Sequence, residues 1–101
     1  MYINIIESYR RVVAICDSEI LGKKFEEGKK QLDVKESFYK GETGKKVEEQ
    51  ELLELIGKNK LEDATFNIVG EKSIQACIKI GLIGQESVAK ISEIPYSLVL
   101  I

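Results

Sequence analysis

Thr65-Phe-Asn-Ile-Val-Gly-Glu-Lys-Ser-Ile-Gln-Ala-Cys-Ile-Lys-Ile-Gly81 is the stretch that decides the fold class. Its first five residues, Thr65–Val69, make a short apolar run of strand length, and Gly70 ends it. The spacing then changes from a strand's to a helix's. Ile74, Cys77 and Ile78 follow the i, i+3, i+4 pattern, which predicts a helix from about Glu71 to Ile80 with one apolar face. Gly81 with Leu82 behind it supplies a glycine stop and its apolar follower. A strand passing through one glycine into an amphipathic helix marks a protein in which sheet and helix cover each other's apolar faces.

Outward from this stretch the same signals recur. Glu48–Ile56 predicts a second helix, with acidic residues in its first turn, an apolar face at Leu52, Leu55 and Ile56, and a close at Gly57-Lys58. Tyr2–Ile6 alternates and Arg11–Cys16 is rich in Val and Ile, so the two predict a hairpin of strands. Asp17-Ser18 reads as the cap of a short turn through Ile20 and Leu21 that Gly22 stops. Lys24–Val34 reads as extended, with Gly28 placed for a second hairpin, and Ser37–Lys40 as one helical turn ended by Gly41. Val88–Ile91 and Tyr96–Ile101 predict the last strands, with a turn at Pro95. The expected fold is therefore α+β: a mostly antiparallel sheet with two main helices packed against it, in a single domain spanning 1–101.

Composition narrows the chemistry. At 44% hydrophobic and 32% charged residues, the chain has the make-up of a globular protein and not of a disordered one. No apolar run approaches the roughly 20 residues of a membrane span, and no basic-then-apolar leader opens the sequence, so no membrane partner and a cytoplasmic location are expected. Cys16 and Cys77 stand alone and far apart, which fits reduced core residues better than a disulfide. There is no histidine. That removes Ser-His-Asp and Cys-His catalysis and every histidine-containing zinc site, and two cysteines cannot form a Cys₄ cluster. No catalytic residue, metal ligand or cofactor is assigned on this reading, which leans away from an enzyme.

Two stretches could still bind or react. The strand–Gly70–helix order aims free backbone amides of Gly70, Glu71, Lys72 and Ser73 outward at a helix N-terminus, where an anion is favoured and Lys72 adds a charge. The glycines of a Walker A loop are missing here, and Gly70 is equally well explained as a residue that only turns the chain. Cys16-Asp17-Ser18-Glu19 gathers a thiol and two carboxylates, although a core cysteine and a capping aspartate account for them as well. The net charge of −2 argues against a general attraction to nucleic acid, but basic residues come in doublets. Arg10-Arg11, Lys23-Lys24 and Lys29-Lys30 are the candidate nucleic-acid contacts, and a hairpin about Gly28 is expected to put the two lysine pairs on one face.

Three blocks of this sequence carry a family likeness: Val13–Gly28 with Phe38–Glu42, then Asn67–Ile74 running into Gly81–Ile83, then Ile94-Pro-Tyr-Ser97. In them the chain resembles a small archaeal family catalogued as domain of unknown function 424. The resemblance implies an archaeal cytoplasmic protein, loosely associated with translation and ribosome-related genes. In that family's pattern a histidine often stands where this chain has Tyr96. The leading expectation is a non-enzymatic binding or interaction module whose partner is RNA or a translation-related protein. The alternative is a small-ligand domain that holds a phosphate-like anion at Gly70–Ser73, with or without catalysis. Basic doublets on one shared face would favour the first, and a pocket closing over Gly70 the second.

Overall fold

The computed structural model describes residues 1–58 and 63–100. In chain order it contains β1 (Tyr2–Ile6), β2 (Val12–Cys16), a 3₁₀ turn (Ser18–Ile20), β3 (Lys24–Glu27), β4 (Lys30–Asp33), α1 (Glu36–Tyr39), β5 (Lys45–Lys46), α2 (Glu49–Lys58), β6 (Thr65–Val69), α3 (Glu71–Lys79), a second 3₁₀ turn (Gln85–Ser87), β7 (Ala89–Ile91) and β8 (Ile94–Leu100). Six strands form one sheet in the order β5-β1-β2-β6-β8-β7, and β3 pairs with β4 in a separate hairpin. Every pairing is antiparallel except that of β2 with β6. The expected α+β class and mostly antiparallel sheet are what the chain adopts.

Register assigns the apolar residues to two faces. Ile3, Ile15 and Ile68 lie in one cross-strand row and Ile5, Val13, Phe66 and Val99 in the next, all on one side of the sheet. Leu52 of α2 and Ile74, Ala76 and Cys77 of α3 close over that side and make the larger core, in which Phe66, Ile15, Leu52 and Ile68 are wholly buried. On the opposite side, Ala14, Cys16 and Val69 meet Val34 and Tyr39, with Phe25, Leu32, Phe38 and Leu21 packed around them. The β3–β4 hairpin and α1 therefore cover one end of this second face. Asn4, buried in the same face, fastens α1 by donating its side-chain amide to the Phe38 carbonyl at 2.8 Å. A strand covered on both sides should be apolar throughout, and Val12-Val-Ala-Ile-Cys16 is.

Three local readings need correction. Gly57, expected to close the second helix, lies inside α2, which runs on to Lys58. The last turn is at Ser92-Glu93, whose φ values of 48° and 70° make a tight two-residue hairpin, and not at Pro95. Pro95 sits within β8 opposite Gly70, where β6 has already ended and a missing N–H breaks no ladder. Third, Asp17 makes no side-chain bond to the turn it precedes. The final residue of the expected last strand, Ile101, lies outside the described residues.

The sheet also separates the thiols. Cys16 belongs to the cluster under α1 and Cys77 to the one under α2 and α3, so both are free, buried and on opposite sides. Burial pushes each thiol from 9.0 up to about 12, helped at Cys16 by the neighbouring Asp17 charge. Neither is a nucleophile at neutral pH. Two outcomes follow. Thiol reagents should label the folded protein slowly at pH 7, and rapid labelling of either cysteine would refute its burial. Because the unfolded chain loses these protons at lower pH than the folded one, stability is fully present below about pH 9. It then falls as pH rises towards about 12. A urea midpoint that held constant from pH 9 to 11 would contradict this.

Candidate functional site

β2 and β6 run parallel, so their carboxyl ends, Cys16 and Val69, lie side by side at one edge of the molecule. From there the chain departs to opposite faces. After β2 it enters the cluster that holds Leu21 and Phe25, and after β6 it enters α3 on the other side. Divergence of this kind opens a crevice at the strand ends, the usual position of ligand sites in open sheets with parallel strands.

Asp17 fills the inner part of the crevice. The residue is 5% exposed, and its carboxylate has three donors. It accepts the Lys72 amide at 3.0 Å, the Ser73 amide at 2.8 Å and the Ser73 hydroxyl at 2.7 Å. The Asp17 amide in turn donates to the Val69 carbonyl at 3.1 Å, which ties the two strand ends together. Free N–H groups at a helix start are satisfied best by an acidic oxygen, which also complements the helix dipole. Here that oxygen comes from a residue 55 positions before Lys72. Gly70 makes the approach possible. Its φ of +108° disfavours any side chain, and a Cβ there would stand 2.4 Å from the Asp17 carboxyl carbon.

Outside this carboxylate is a cavity of about 430 Å³ whose lining includes Ser18, Glu19 and Lys72, with Lys46 of β5, Glu48, Glu49 at the start of α2, and Met1 completing it. Lys72 reaches Glu19 at 3.6 Å, and Glu49 is shared with Lys79 of α3 at 3.4 Å. The Met1 ammonium donates to the Val47 carbonyl at 3.0 Å. The Ser18 hydroxyl is buried and has no hydrogen-bond partner among the described residues. The lining thus carries both signs of charge, and no group of three or more metal-ligating side chains occurs among the described residues.

The two stretches singled out in the sequence, Cys16–Glu19 and Gly70–Ser73, are brought into contact. Their roles differ from those expected. The amides of Lys72 and Ser73 are taken by Asp17, so an anion would have to meet the Lys72 side chain rather than those amides. Lys46 and Glu48 were not legible as site residues, because only the pairing of β5 with β1 carries them beside the strand ends.

The basic doublets are dispersed. Arg10 and Arg11 precede β2, at the opposite end of that strand from Asp17. Arg10 donates to the Asp63 carbonyl at 3.3 Å, and Arg11 pairs with Glu7 at 3.0 Å. The hairpin about Gly28 forms, but the shared face does not. Lys24 is opposite Asp33 and Lys30 opposite Glu27, and alternation puts Lys24 with Glu26, Gln31 and Asp33 on one side. Lys30 falls on the other with Phe25, Glu27 and Leu32, while Lys29 is in the turn. Tyr96 packs with the cluster under α1.

Asp17→Ala should lower stability by about 3 kcal/mol, since two backbone amides lose a charged acceptor in a buried setting. Gly70→Ala should be damaging alone and much milder in the Asp17→Ala background, where the obstructing carboxylate is gone. Urea midpoints of the four proteins give the coupling, and strictly additive losses would refute the contact.

Among solved structures, the fold is similar to that of an uncharacterized conserved protein from Methanopyrus kandleri, with a TM-score of 0.82 at 23% sequence identity over 100% of this chain and 92% of that one. No curated protein matches the sequence. A family model described as "Protein of unknown function (DUF424)" matches residues 6–101, which takes in Asp17, Gly70 and all of the cavity lining except Met1, and the chain belongs to that family.

Proposed function

We propose that this protein is a non-enzymatic binding domain whose ligand is a small polar solute with an anionic group, held in the cavity at the ends of β2 and β6. The observation that carries the reading is a cavity at the strand ends that Ser18, Lys46 and Lys72 line together. The Ser18 hydroxyl has no hydrogen-bond partner among the described residues, and a rotation about its Cα–Cβ bond that turned it into the cavity would give it a ligand atom to bond. The volume of about 430 Å³ is within the usual range for small-molecule sites. Glu19, Glu48 and Glu49 balance the two lysines, so the preferred solute carries a cationic or hydrogen-bond-donating group beside its anionic one. The absence of histidine and the deep burial of both thiols support binding over catalysis. A cytoplasmic location and an archaeal source belong to the same reading, and the Methanopyrus kandleri neighbour supports the source.

RNA or a translation-related protein is the second reading. Its support is that Lys23, Lys29 and Lys30, around the exposed hairpin, form no ion pair among the described residues. Salt separates the two, because phosphate contacts weaken steeply with ionic strength.

Amide chemical shifts should be followed while inorganic phosphate, glycine betaine and the common amino acids are titrated in turn. A ligand of the cavity shifts the amides of Ser18, Glu19 and Lys46, and the Lys46→Glu, Lys72→Glu double variant weakens it at least tenfold. Binding that ignores the double variant refutes the site. No shift with any solute, together with salt-sensitive retention of RNA on a filter, replaces this reading with the second.

A further inference from the structure

The second face of the sheet ends at a strand edge that is exposed among the described residues. Beyond the β3–β4 hairpin and α1, the cross-strand row Ile6, Val12, Thr65, Leu100 and the outer part of the row Asn4, Ala14, Asn67, Leu98 have no described element packed on them; Ile6, Val12, Thr65 and Asn67 are half-buried, and Leu98 and Leu100 at the edge are exposed. Leu98 and Leu100 are 65% and 64% exposed, in a strand whose other residues are largely buried or half-buried. β8 is paired on its outer side only by β7, which reaches Ile94, Pro95 and Tyr96. Past Ser97, whose hydroxyl donates to the Ser87 carbonyl at 2.9 Å, no strand accompanies it among the described residues.

The direction of the free backbone groups follows from one bond. The Gly70 amide donates to the Pro95 carbonyl at 2.9 Å, so the close pairs between β6 and β8 continue at Ile68–Ser97 and Phe66–Val99. Tyr96, Leu98 and Leu100 must then turn their N–H and C=O groups away from β6. Tyr96 meets Ala89 of β7 on that side, as this requires. Leu98 and Leu100 are left facing outward with two donors and two acceptors. Natural edges are blunted by lysine, proline or a bulge, and Leu98-Val99-Leu100 has none of these.

We propose that this edge is the interface for a second copy of the chain, joined by antiparallel pairing of β8 with β8 about a two-fold axis at Val99. The strand is self-complementary in that register. Leu98 of one copy lies opposite Leu100 of the other, and the reciprocal pair completes four hydrogen bonds, using all the outward groups of both residues. A shift that centred the axis on Leu98 would demand Tyr96, already held by β7. Directly opposed side chains share a face, so the four leucines form one apolar cluster across the axis. The interface is isologous and closes at two copies. It lies at the Thr65 end of β6, away from Asp17, and does not depend on the cavity reading.

Sedimentation velocity over a wide concentration range, paired with hydrogen exchange, tests this. The expected result is a monomer–dimer equilibrium in which the Leu98 and Leu100 amides become at least tenfold more protected at high concentration. The Tyr96 amide, already paired, should change little. Leu98→Lys with Leu100→Lys alters exposed positions only and should weaken the dimer at least a hundredfold, with an unchanged circular dichroism spectrum and urea midpoint. A chain that stays monomeric near 1 mM overturns the proposal and leaves the edge to a strand of some other protein. A dimer that the double variant does not weaken, or one that forms without protecting these two amides, overturns it as well.

Discussion

The carboxylate of Asp17 is the constraint on which the site end of this molecule depends. One buried anion satisfies two amides and a hydroxyl at the start of α3, and its own amide holds the end of β6. It therefore fixes three things together: the parallel alignment of β2 with β6, the direction in which α3 leaves the sheet, and the depth at which the α3 dipole ends. A charge this buried is tolerable only where hydrogen bonds replace water, and here three do. Gly70 is the steric counterpart, since a methyl group at that position would occupy the carboxylate's place. The cavity outside inherits its shape from this arrangement, because Ser18 and Glu19 follow Asp17 directly and Lys72 is one of the residues it holds.

Much of the architecture was legible in the residues. The strand Thr65–Val69 and the helix behind it stand where period and glycine placed them, and Tyr2–Ile6 matches its alternation residue for residue. These elements carry their own signal: a run of one period, bounded by a residue that cannot continue it. Misread features were those whose cause lies elsewhere in the chain. Ser92-Glu93 turns the last hairpin although neither residue favours positive φ, because pairing of β7 with β8 holds them there. Pro95 drew the turn to itself although the ladder ends beside it and accommodates it.

The site was legible in pieces and not in its assembly. Both stretches that matter were visible as residues following a strand, but nothing in either indicates that β2 and β6 are neighbours. Asp17 next to Ser18 looks like a local cap, and only the long-range pairing shows that its partner is α3. The shared face expected of the lysine doublets was misread for a simpler reason. A hairpin about Gly28 was correctly read, but face depends on register, and a shift of one residue moves every side chain to the other side.

The parallel pairing of β2 and β6 has a consequence for how the chain acquires its structure. The sheet's central contact joins segments separated by the whole of β3, β4, α1, β5 and α2, and the bonds of Asp17 span 55 and 56 residues. Closing so long a loop loses entropy before any contact compensates, so local elements form and dissolve until β6 is available. The β1–β2 hairpin is a two-stranded piece with apolar residues on both sides and little stability of its own. On a ribosome, the first half of this chain therefore leaves the exit tunnel with the α3 face and the β6 edge of Val12–Cys16 uncovered, and it becomes a native sheet only when the last third has been made. Nascent-chain order, and not only final stability, is set by where the single parallel pair was placed.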